Sequence, residues 1–511
     1  MATDRPEAPD GADAAAAPRT GRAAEAGLLL LALAIGIGAY LLVGLGATGE
    51  LPADWVGFAV TLVLLAVGMH VVLRWRAPYA DPVILPVAVA LNGIGLAMIY
   101  RIDLARAVRG IDSSFAPKQL VWTIVSVVLA AAVLILLRDH RVLRRYTYTA
   151  MVIGLVLIVL PVVPGLGVTI NGARIWVSVG PVGFQPAELA KIALAVFFAG
   201  YLVTHRDTLA LAGPKVLGLH LPRARDLGPI LIAWALSLAV LVFERDFGTS
   251  LLFFGLFVAM LYLATERTSW IVIGVMMFIG GAVLAAMTIP HVGARFDAWL
   301  HAFDNAVFTQ SPGGSGQLVR GLFGMASGGL FGTGWGQGRP DLVPYAESDF
   351  IIASLGEELG LTGLLAILLC YAILTQRGMR TAVGVRDGFG KLLAGGLAFV
   401  VAFQTFVVVG GVTRLIPLTG LTTPFLAYGG SSLVANWIIV AILLRISDDA
   451  RRPSPPRPRR TLADEDATPD GPDAPGVERV SVTGRADADR AGPVGDDNPT
   501  ERMRRPEGGP A

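Results

Sequence analysis

Long apolar runs alternate with short polar stretches through most of this chain. Each run approaches the ~20 residues that an α-helix needs to cross the hydrocarbon core of a bilayer. Backbone groups in lipid must be hydrogen-bonded internally, and the runs are too long for barrel strands, so they predict transmembrane helices. The predicted spans are 27–46, 55–73, 82–100, 119–137, 148–163, 186–203, 228–243, 249–264, 270–289, 350–374, 392–413 and 430–446. We therefore expect an all-α polytopic membrane protein with about twelve spans and a long loop, 290–349, between the ninth and tenth.

The two ends of the chain differ from its middle. Residues 1–24 and 448–511 are polar and poor in large apolar side chains, so they cannot bury enough surface to offset their ordering entropy. They predict disordered tails around a membrane domain at 25–447. The composition agrees, because only 16% of the 511 residues are charged, against about 25% in soluble domains. With 41 basic and 39 acidic residues, nucleic acid is not an expected partner. The single cysteine, Cys370, excludes an intramolecular disulfide.

Basic residues fall mainly on one side of the predicted bundle, which the positive-inside rule assigns to the cytoplasm together with both termini. These residues are Arg74, Arg76, Arg138, Arg141, Arg144, Arg145, Arg206, Lys215, Arg223, Arg225, Arg377, Arg380, Arg386, Lys391, Arg451, Arg452, Arg457, Arg459 and Arg460. The opposite loops are poorer in them, apart from a cluster of Arg101, Arg106 and Arg109. The 290–349 loop is then external, and long loops frequently carry function.

The segment from Asn171 to Lys191 reads NGARIWVSVGPVGFQPAELAK. Its polar, Gly-rich first part, with Arg174, predicts an external loop, and Pro186 is favoured in the first turn of a helix. Glu188 and Lys191 are three residues apart, so they share one face of that helix. An interfacial ion pair that stabilises the helix start explains them as well as a binding role does.

Other polar segments interrupt the apolar pattern on the predicted external side. They are ERDFGT at 244–249, the Gly-rich loop at 295–341, ESDFIIASLGEELG at 347–360 and PLTGLTTPFLAYGGSS at 417–432. The first of them is also consistent with a tight turn between two spans. Glycine permits positive φ and close backbone approach, which a solvated linker does not require. The segments therefore predict one shared external site.

These motifs resemble, in order and spacing, those of the RodA/FtsW family of shape, elongation, division and sporulation proteins. The likeness rests on NGARIWV…FQPAELAK, ERDFGTS, ESDFIIASLGEELGLTG and PLTG…PFLAYGGSS, and it covers about 81–447. It implies a core of ten membrane helices, preceded here by two N-terminal spans as in actinobacterial members. The chain departs from the family pattern at Ala187, Arg245, Gly316 and Ala427, where Ser, Pro, Tyr and Ser are usual.

The resemblance implies a peptidoglycan glycosyltransferase that polymerises lipid II outside the cytoplasmic membrane, in elongation, division or sporulation. Lipid II, the implied substrate, is a disaccharide peptide linked to a polyprenyl pyrophosphate. In that reaction a sugar 4-hydroxyl attacks the anomeric carbon of a lipid-linked chain, and a polyprenyl pyrophosphate leaves. A carboxylate within ~3 Å of the hydroxyl can act as the general base. Counted from Arg295, the aspartate of the family's long loop corresponds to Asp304, with Asp297 as the alternative.

Positive charge near the leaving pyrophosphate would stabilise its developing negative charge. We expect that charge from Arg174, Lys191 or a divalent cation, Mg²⁺ or Mn²⁺. The residues expected to bind substrate are Arg174, Glu188, Lys191, Asp246, Gln317 and Asp349. The resemblance also implies a complex with a single-span class B penicillin-binding protein and with other elongation or division proteins. The small residues of 394–398 favour close helix packing and predict a face for that partner.

Two other functions are compatible with the same sequence. Many spans, Gly-broken helices and charges near the membrane also describe a transporter that flips lipid II. A scaffold that recruits a cell-wall synthase would need no external carboxylate. Inverted internal repeats would favour the transporter, and none is evident in the sequence. The enzyme would be favoured if removal of a loop acid abolished polymer formation but left lipid movement intact.

The predicted orientation can be tested by cysteine labelling in a background where Cys370 is replaced. An impermeant thiol reagent applied to intact cells should label a cysteine placed in 290–349 and should leave a cysteine at position 470 unlabelled. The reverse labelling pattern would contradict the orientation.

Overall fold

The computed structural model describes residues 21–170, 173–180, 182–209, 215–216, 219–220, 228–310 and 313–453. Helices dominate this part of the chain. The first half contains α1 (Arg22–Thr48), α2 (Trp55–Arg76), α3 (Ile84–Val108), α4 (Phe115–Leu136), α5 (Val142–Arg145), α6 (Thr147–Val159) with a 3₁₀ turn (Leu160–Val162), β1 (Gly167–Ile170), β2 (Ala173–Val179), β3 (Val182–Phe184), α7 (Pro186–Leu209), β4 (Lys215–Val216) and β5 (Leu219–His220).

In the second half of the described chain, the regular elements are all helices. It contains α8 (Gly228–Phe243), α9 (Phe247–Thr265), α10 (Thr268–Thr288), α11 (Pro290–Leu300), α12 (Asn305–Phe308), α13 (Gly316–Gly328), a 3₁₀ turn (Pro340–Leu342), α14 (Ile351–Gly384), α15 (Gly388–Val412) and α16 (Gly430–Arg451). The loop predicted at 290–349 thus has helical segments of its own.

Ten helices within the described ranges are long and apolar enough to cross a membrane. They are α1, α2, α3, α4, α7, α9, α10, α14, α15 and α16. The all-α, multi-span architecture is therefore confirmed. The spans predicted at 148–163 and 228–243 correspond to α6 with its 3₁₀ turn and to α8, which are shorter, so twelve spans are not established by helix length.

The predicted loops gather at two opposite ends of the bundle. At one end, Arg109 Nε of the α3–α4 connection lies 2.5 Å from Asp341 Oδ2 of the long loop. At the other, Arg445 Nη1 of α16 donates to the carbonyl of Arg76, which ends α2, at 2.9 Å. We call these the loop end, which carries 290–349, and the tail end. The sorting of loops into two sets is that predicted from the basic residues.

The first and last helices of the described chain extend slightly beyond 25–447. α1 begins at Arg22, whose Nε donates to the carbonyl of Pro78 at 3.1 Å. α16 continues to Arg451 because Asp448 accepts a hydrogen bond from Tyr79 N at 2.8 Å, which fixes the last helical turn to the α2–α3 connection. The remainder of both predicted tails, and the basic residues at 223 and 225, lie outside the described residues.

The segment between α6 and α7 is a three-stranded antiparallel sheet, where the sequence predicted an irregular loop. β2 pairs with β1 and with β3, and its residues alternate between the two faces. Arg174 N of β2 donates to the carbonyl of Glu244 at 3.0 Å, so the sheet is joined to the α8–α9 turn. Pro186 opens α7 as predicted.

α14 is broken near its loop end, and the loop fills the break. Gly360 has φ 68° and ψ −172°, a conformation that is essentially restricted to glycine. Leu361 N and Thr362 N donate to the carbonyls of Gly329 and Leu330, each at 3.0 Å, while Thr333 N donates to the carbonyl of Glu357 at 3.0 Å. Irregular backbone at membrane depth persists only where its polar groups find such partners.

The small-residue stripe at 394–398 is turned inward, which corrects its prediction as a partner face. Side chains added at Gly395 and Gly396 would meet Leu263 and Met260 of α9, and Ala394 is fully buried. The stripe therefore allows close packing within the chain itself.

Of the two N-terminal helices, α1 packs closely against α3 of the bundle. The backbones of Gly36 on α1 and Gly93 on α3 approach so closely that neither position has room for a side chain. Near the loop end, the Gln337 side-chain amide donates to the carbonyl of Gly46, and position 46 has no room for a side chain beside Trp335. α1 thus lies against both the core and the long loop.

We expect Gly360→Ala to destabilise the protein by about 1–3 kcal/mol, since a Cβ there would meet the backbone of Gly332 and Leu330 and strain the backbone. Gly280→Ala on α10 is the matched control, because that position faces open space. Thermal unfolding of both variants in one detergent should lower the Tm only for position 360; equal melting temperatures would contradict this account of the break.

Candidate functional site

Several of the motif blocks meet at the loop end. Asp246 caps α9 and accepts hydrogen bonds from Thr249 N at 2.9 Å and Thr249 Oγ1 at 2.6 Å. Arg295 of α11 donates from Nη1 to the carbonyls of Leu418 and Thr419 at 3.0 and 3.1 Å. Asp349 Oδ2 lies 3.8 Å from the point where a side chain at Gly420 would begin. Residues from four distant parts of the sequence are thereby brought together.

Three acidic residues of this region, Glu244, Asp246 and Asp349, form what we call the carboxylate cluster. Burial raises the pKa of Asp349 to about 7, with further contributions from Asp246 and Glu347, while Arg295 opposes the shift. Burial also raises the pKa of Glu244 to about 9, assisted by the charge of Asp246. The pKa of Asp246 is raised by burial against the effect of its hydrogen bonds from Thr249. The cluster therefore retains protons where exposed acids would be ionised.

Arg174 lies beside the cluster on β2. Its Nη2 donates weakly to the carbonyl of Val163 at 3.3 Å, and its buried Nε has no hydrogen-bond partner. Oε2 of Glu244 is likewise buried without a partner. A buried unpaired donor or acceptor is costly, so each group favours a ligand that supplies the missing partner.

Glu188 and Lys191 form the ion pair that their spacing suggested, deep inside the bundle. Lys191 Nζ donates to Glu188 Oε2 at 2.5 Å and to Gln404 Oε1 of α15 at 2.8 Å. The Gln404 amide donates in turn to the carbonyl of Thr422 at 2.9 Å. The side chains of Lys191 and Glu188 are 1% and 5% exposed, so in this conformation the pair links α7 to α15 rather than lining an open surface.

The candidate bases on the long loop are exposed. Asp304 caps the short helix α12 through its carbonyl, which accepts from Phe308 N at 2.8 Å. Asp297, on α11, pairs with His301 through Oδ1 and Nδ1 at 2.8 Å, with both side chains about half exposed. Gln317 lies half-buried in the first turn of α13. Within the described residues, the carboxylate of Asp304 has no hydrogen-bonding or ionic partner that would hold it away from a substrate.

Sequence reasoning missed three residues that the structure brings to the fore. Arg295 served only as a reference for counting, although its position just beyond a membrane helix is a signal for a paired cation. His301 stands four residues after Asp297, a spacing that places both on one helix face. Gln404 carries no local signal, because its partner Lys191 is 213 residues away.

A divalent cation requires several oxygen or nitrogen ligands that converge on one point. Among the described residues, one group of three could converge on an ion, namely His140, Asp387 and Asp449 at the tail end. These side chains already pair with each other and with Arg141, whose Nη2 lies 2.9 Å from Asp449 Oδ2. The described carboxylates at the loop end form no comparable group.

Comparisons with known proteins agree with this architecture. The family described as cell cycle protein, which comprises FtsW, RodA and SpoVE, matches residues 82–452. Peptidoglycan glycosyltransferase RodA of Mycobacterium tuberculosis is 48% identical over 443 residues, which cover 86% of this chain and 93% of that protein. Stage V sporulation protein E of Bacillus subtilis is 32% identical over 376 residues, which cover 73% of this chain and 98% of that protein.

The fold is also similar to a solved structure. The rod shape determining protein RodA of Thermus thermophilus superposes with a TM-score of 0.52 at 23% identity, covering 74% of this chain and 100% of that one. Fold and site together define a class of multi-span membrane protein in which charged residues gather under one long loop. The chain belongs to the FtsW/RodA/SpoVE family. The resemblance inferred from the sequence motifs is thereby confirmed.

The raised pKa of Asp349 predicts a specific pH dependence. The pKa is about 7 in the folded protein and near the ordinary aspartate value in the unfolded chain, so this residue stabilises the fold at low pH. That stability is lost as the pH rises from about 4 to 7. The Tm of Asp349→Asn should therefore fall less between pH 5 and pH 8 than the parent Tm. Asp304→Asn, which removes an exposed acid without an ionic partner among the described residues, should retain the parental dependence. Equal slopes for all three proteins would contradict the assignment.

Proposed function

We propose that this protein polymerises lipid II into glycan strands at the outer face of the cytoplasmic membrane. As a member of the RodA/FtsW family, it is a peptidoglycan glycosyltransferase of cell-wall synthesis. One observation supports the location of the site above all others: the family's separate motif blocks converge at the loop end, around the carboxylate cluster and Arg295.

The proposed general base is Asp304. Its exposed carboxylate is free of ion pairs within the described chain, so it can accept the proton of the attacking 4-hydroxyl as the new glycosidic bond forms. The bond from the anomeric carbon to the pyrophosphate oxygen breaks in the same step, and the pyrophosphate leaves with the electron pair. The exposed pair Asp297–His301 is the rival base, since an imidazole held by a carboxylate can also accept a proton.

The remaining predicted substrate contacts keep the roles proposed from the family resemblance. Arg174, whose Nε has no hydrogen-bond partner, would counter the charge of the leaving pyrophosphate. Glu188 and Lys191 would meet a lipid head group only after α7 and α15 separate, because both side chains are buried. Asp246, Asp349 and Gln317 complete the proposed set at the loop end. Mg²⁺ or Mn²⁺, if bound beside these residues, would add positive charge near the leaving pyrophosphate.

Twelve spans, with both termini cytoplasmic, make up the proposed topology. α6 starts beside the basic α5 at the tail end and is followed by the sheet at the loop end, so it connects opposite ends. α6 with its 3₁₀ turn has 16 residues, or roughly 24 Å at 1.5 Å per residue, which a locally thinned bilayer can accommodate. The predominance of basic residues at the tail end supports a cytoplasmic location for it.

A single-span class B penicillin-binding protein is the proposed partner, beside other elongation or division proteins. The inward stripe on α15 cannot receive its helix. The outward face of α14 carries Leu361, Leu365 and Leu369, spaced by four residues and 49–60% exposed. Such a stripe presents one continuous apolar ridge to a neighbouring helix.

Polymerisation of purified protein with lipid II, with and without that partner, tests the function and the base together. Asp304→Ala and Asp304→Asn should lower the rate by about 10²- to 10⁴-fold without loss of membrane insertion, because the proton acceptor is gone. Asp297→Ala is the matched control on the same loop and should retain much of the activity.

Three outcomes of that assay would argue against the proposal. Normal glycan chains from the Asp304→Ala variant would exclude Asp304 as the base, and a simultaneous loss with Asp297→Ala would identify the His–Asp pair instead. Lipid movement across vesicles without any polymer would favour the transporter. Absence of both activities, with retained partner binding, would favour the scaffold.

A further inference from the structure

A cleft separate from the carboxylate cluster opens at the loop end between α3, α13 and the start of α14. Its volume is about 910 Å³, within the range of roughly 300–1,000 Å³ that small-ligand sites occupy. The charged side chains that line it are Arg106, Arg109, Arg320, Arg339, Asp341 and Glu357. None of them belongs to the substrate-binding set assigned above.

The cleft has a positive character. Four guanidinium groups face two carboxylates, and one of those acids, Asp341, is shared between Arg109 at 2.5 Å and Arg339 at 3.2 Å. Arg106 pairs at 2.7 Å with Glu347, which lies outside the lining. Arg320, exposed on α13, has no ion pair or hydrogen bond to another described residue. It is therefore free to bind an anionic group, and planar carboxylates suit the guanidinium fork.

Glu357 adds a second, independent feature. This residue is only 6% exposed, yet it lines the cleft. Oε1 accepts hydrogen bonds from Arg339 N at 2.9 Å and Ser327 Oγ at 3.4 Å, whereas the buried Oε2 has no partner. A carboxylate oxygen held in this way needs a donor, such as an amide N–H or an ammonium group.

We propose that the cleft formed by Arg106, Arg109, Arg320, Arg339 and Glu357 binds the acidic peptide carried by the lipid-linked disaccharide substrate. The inference rests on the proposed function for the identity of the ligand. A peptide supplies carboxylates for Arg320 and its neighbours and N–H donors for Glu357 Oε2 at the same time. The apolar lining, which includes Ile111, Phe323 and Val343, can cover aliphatic peptide side chains.

A pyrophosphate group matches the cleft less well. At neutral pH it offers acceptors and almost no donors, so it would leave Glu357 Oε2 unpaired. It would also place concentrated negative charge beside Asp341 and Glu357, which is unfavourable at close range.

A soluble disaccharide–pentapeptide, without lipid or pyrophosphate, is the probe that tests the cleft. Calorimetric titration into the purified full-length protein should show binding that Arg320→Gln weakens about tenfold or more, because a charge-assisted contact is lost. Glu357→Gln should also weaken it, since Oε2 becomes a donor. Arg138→Gln, which removes an exposed arginine at the tail end, is the charge-matched control and should bind within twofold of the parent. The disaccharide without its peptide should not bind.

Two results would overturn the assignment. Equal affinity of the parent and Arg320→Gln for the probe would remove the cleft as a peptide site. Two findings together would make the cleft a head-group site instead. Inorganic pyrophosphate at equal concentration would compete with the probe, and the disaccharide without its peptide would bind as tightly as the probe does. Probe binding by Asp304→Ala protein separates the two proposals: a variant that binds the probe and makes no polymer supports both. Polymer formation without any probe binding contradicts the cleft alone.

Discussion

The buried ion pair between Arg101 and Glu358 organises the loop end of this protein. Arg101 Nε lies 2.7 Å from Glu358 Oε1, and its Nη2 donates to the carbonyl of Gly338 at 2.6 Å. Glu358 Oε2 accepts from Gly336 N at 3.0 Å. One pair therefore joins α3, the break in α14 and the return of the long loop. Removing one member of a buried pair typically costs about 3–5 kcal/mol, because the other charge stays without compensation. The cleft beside it shares the same elements, so its shape depends on this pair.

Much of the fold follows from the demands of lipid on the sequence. Apolar runs of about twenty residues leave helices as the solution, and Pro186 marks the start of α7 as its backbone geometry requires. The sheet was hidden because the alternation in Arg174–Val179 is short and is flanked by glycines. The direction of the stripe at 394–398 could not be read, because an apolar span has no polar face to show which side meets lipid.

Some features of the candidate site can be predicted from the sequence, and others depend on the tertiary structure. The i,i+3 spacing of Glu188 and Lys191 is a local property, and their ion pair was predictable from it. Their contact with Gln404, and that of Arg295 with the 418–419 backbone, depend on how distant helices assemble. Burial of Asp349 is likewise a tertiary property, so its altered proton affinity has no signature in the sequence. Polar side chains on the exposed loop are free to contact a substrate, whereas those within the bundle are buried or paired with other residues.

The N-terminal helix pair precedes the region that matches the family, yet α1 contacts the long loop at Gln337 and Trp335. A loop segment anchored at both α1 and Glu358 has fewer conformations available to it than one anchored at Glu358 alone. The loop therefore loses part of its conformational entropy when the chain folds, and less remains to be lost when a substrate binds. A region that carries no reactive group can in this way set the affinity of a neighbouring cleft, and changes in its length or packing would alter binding without altering chemistry.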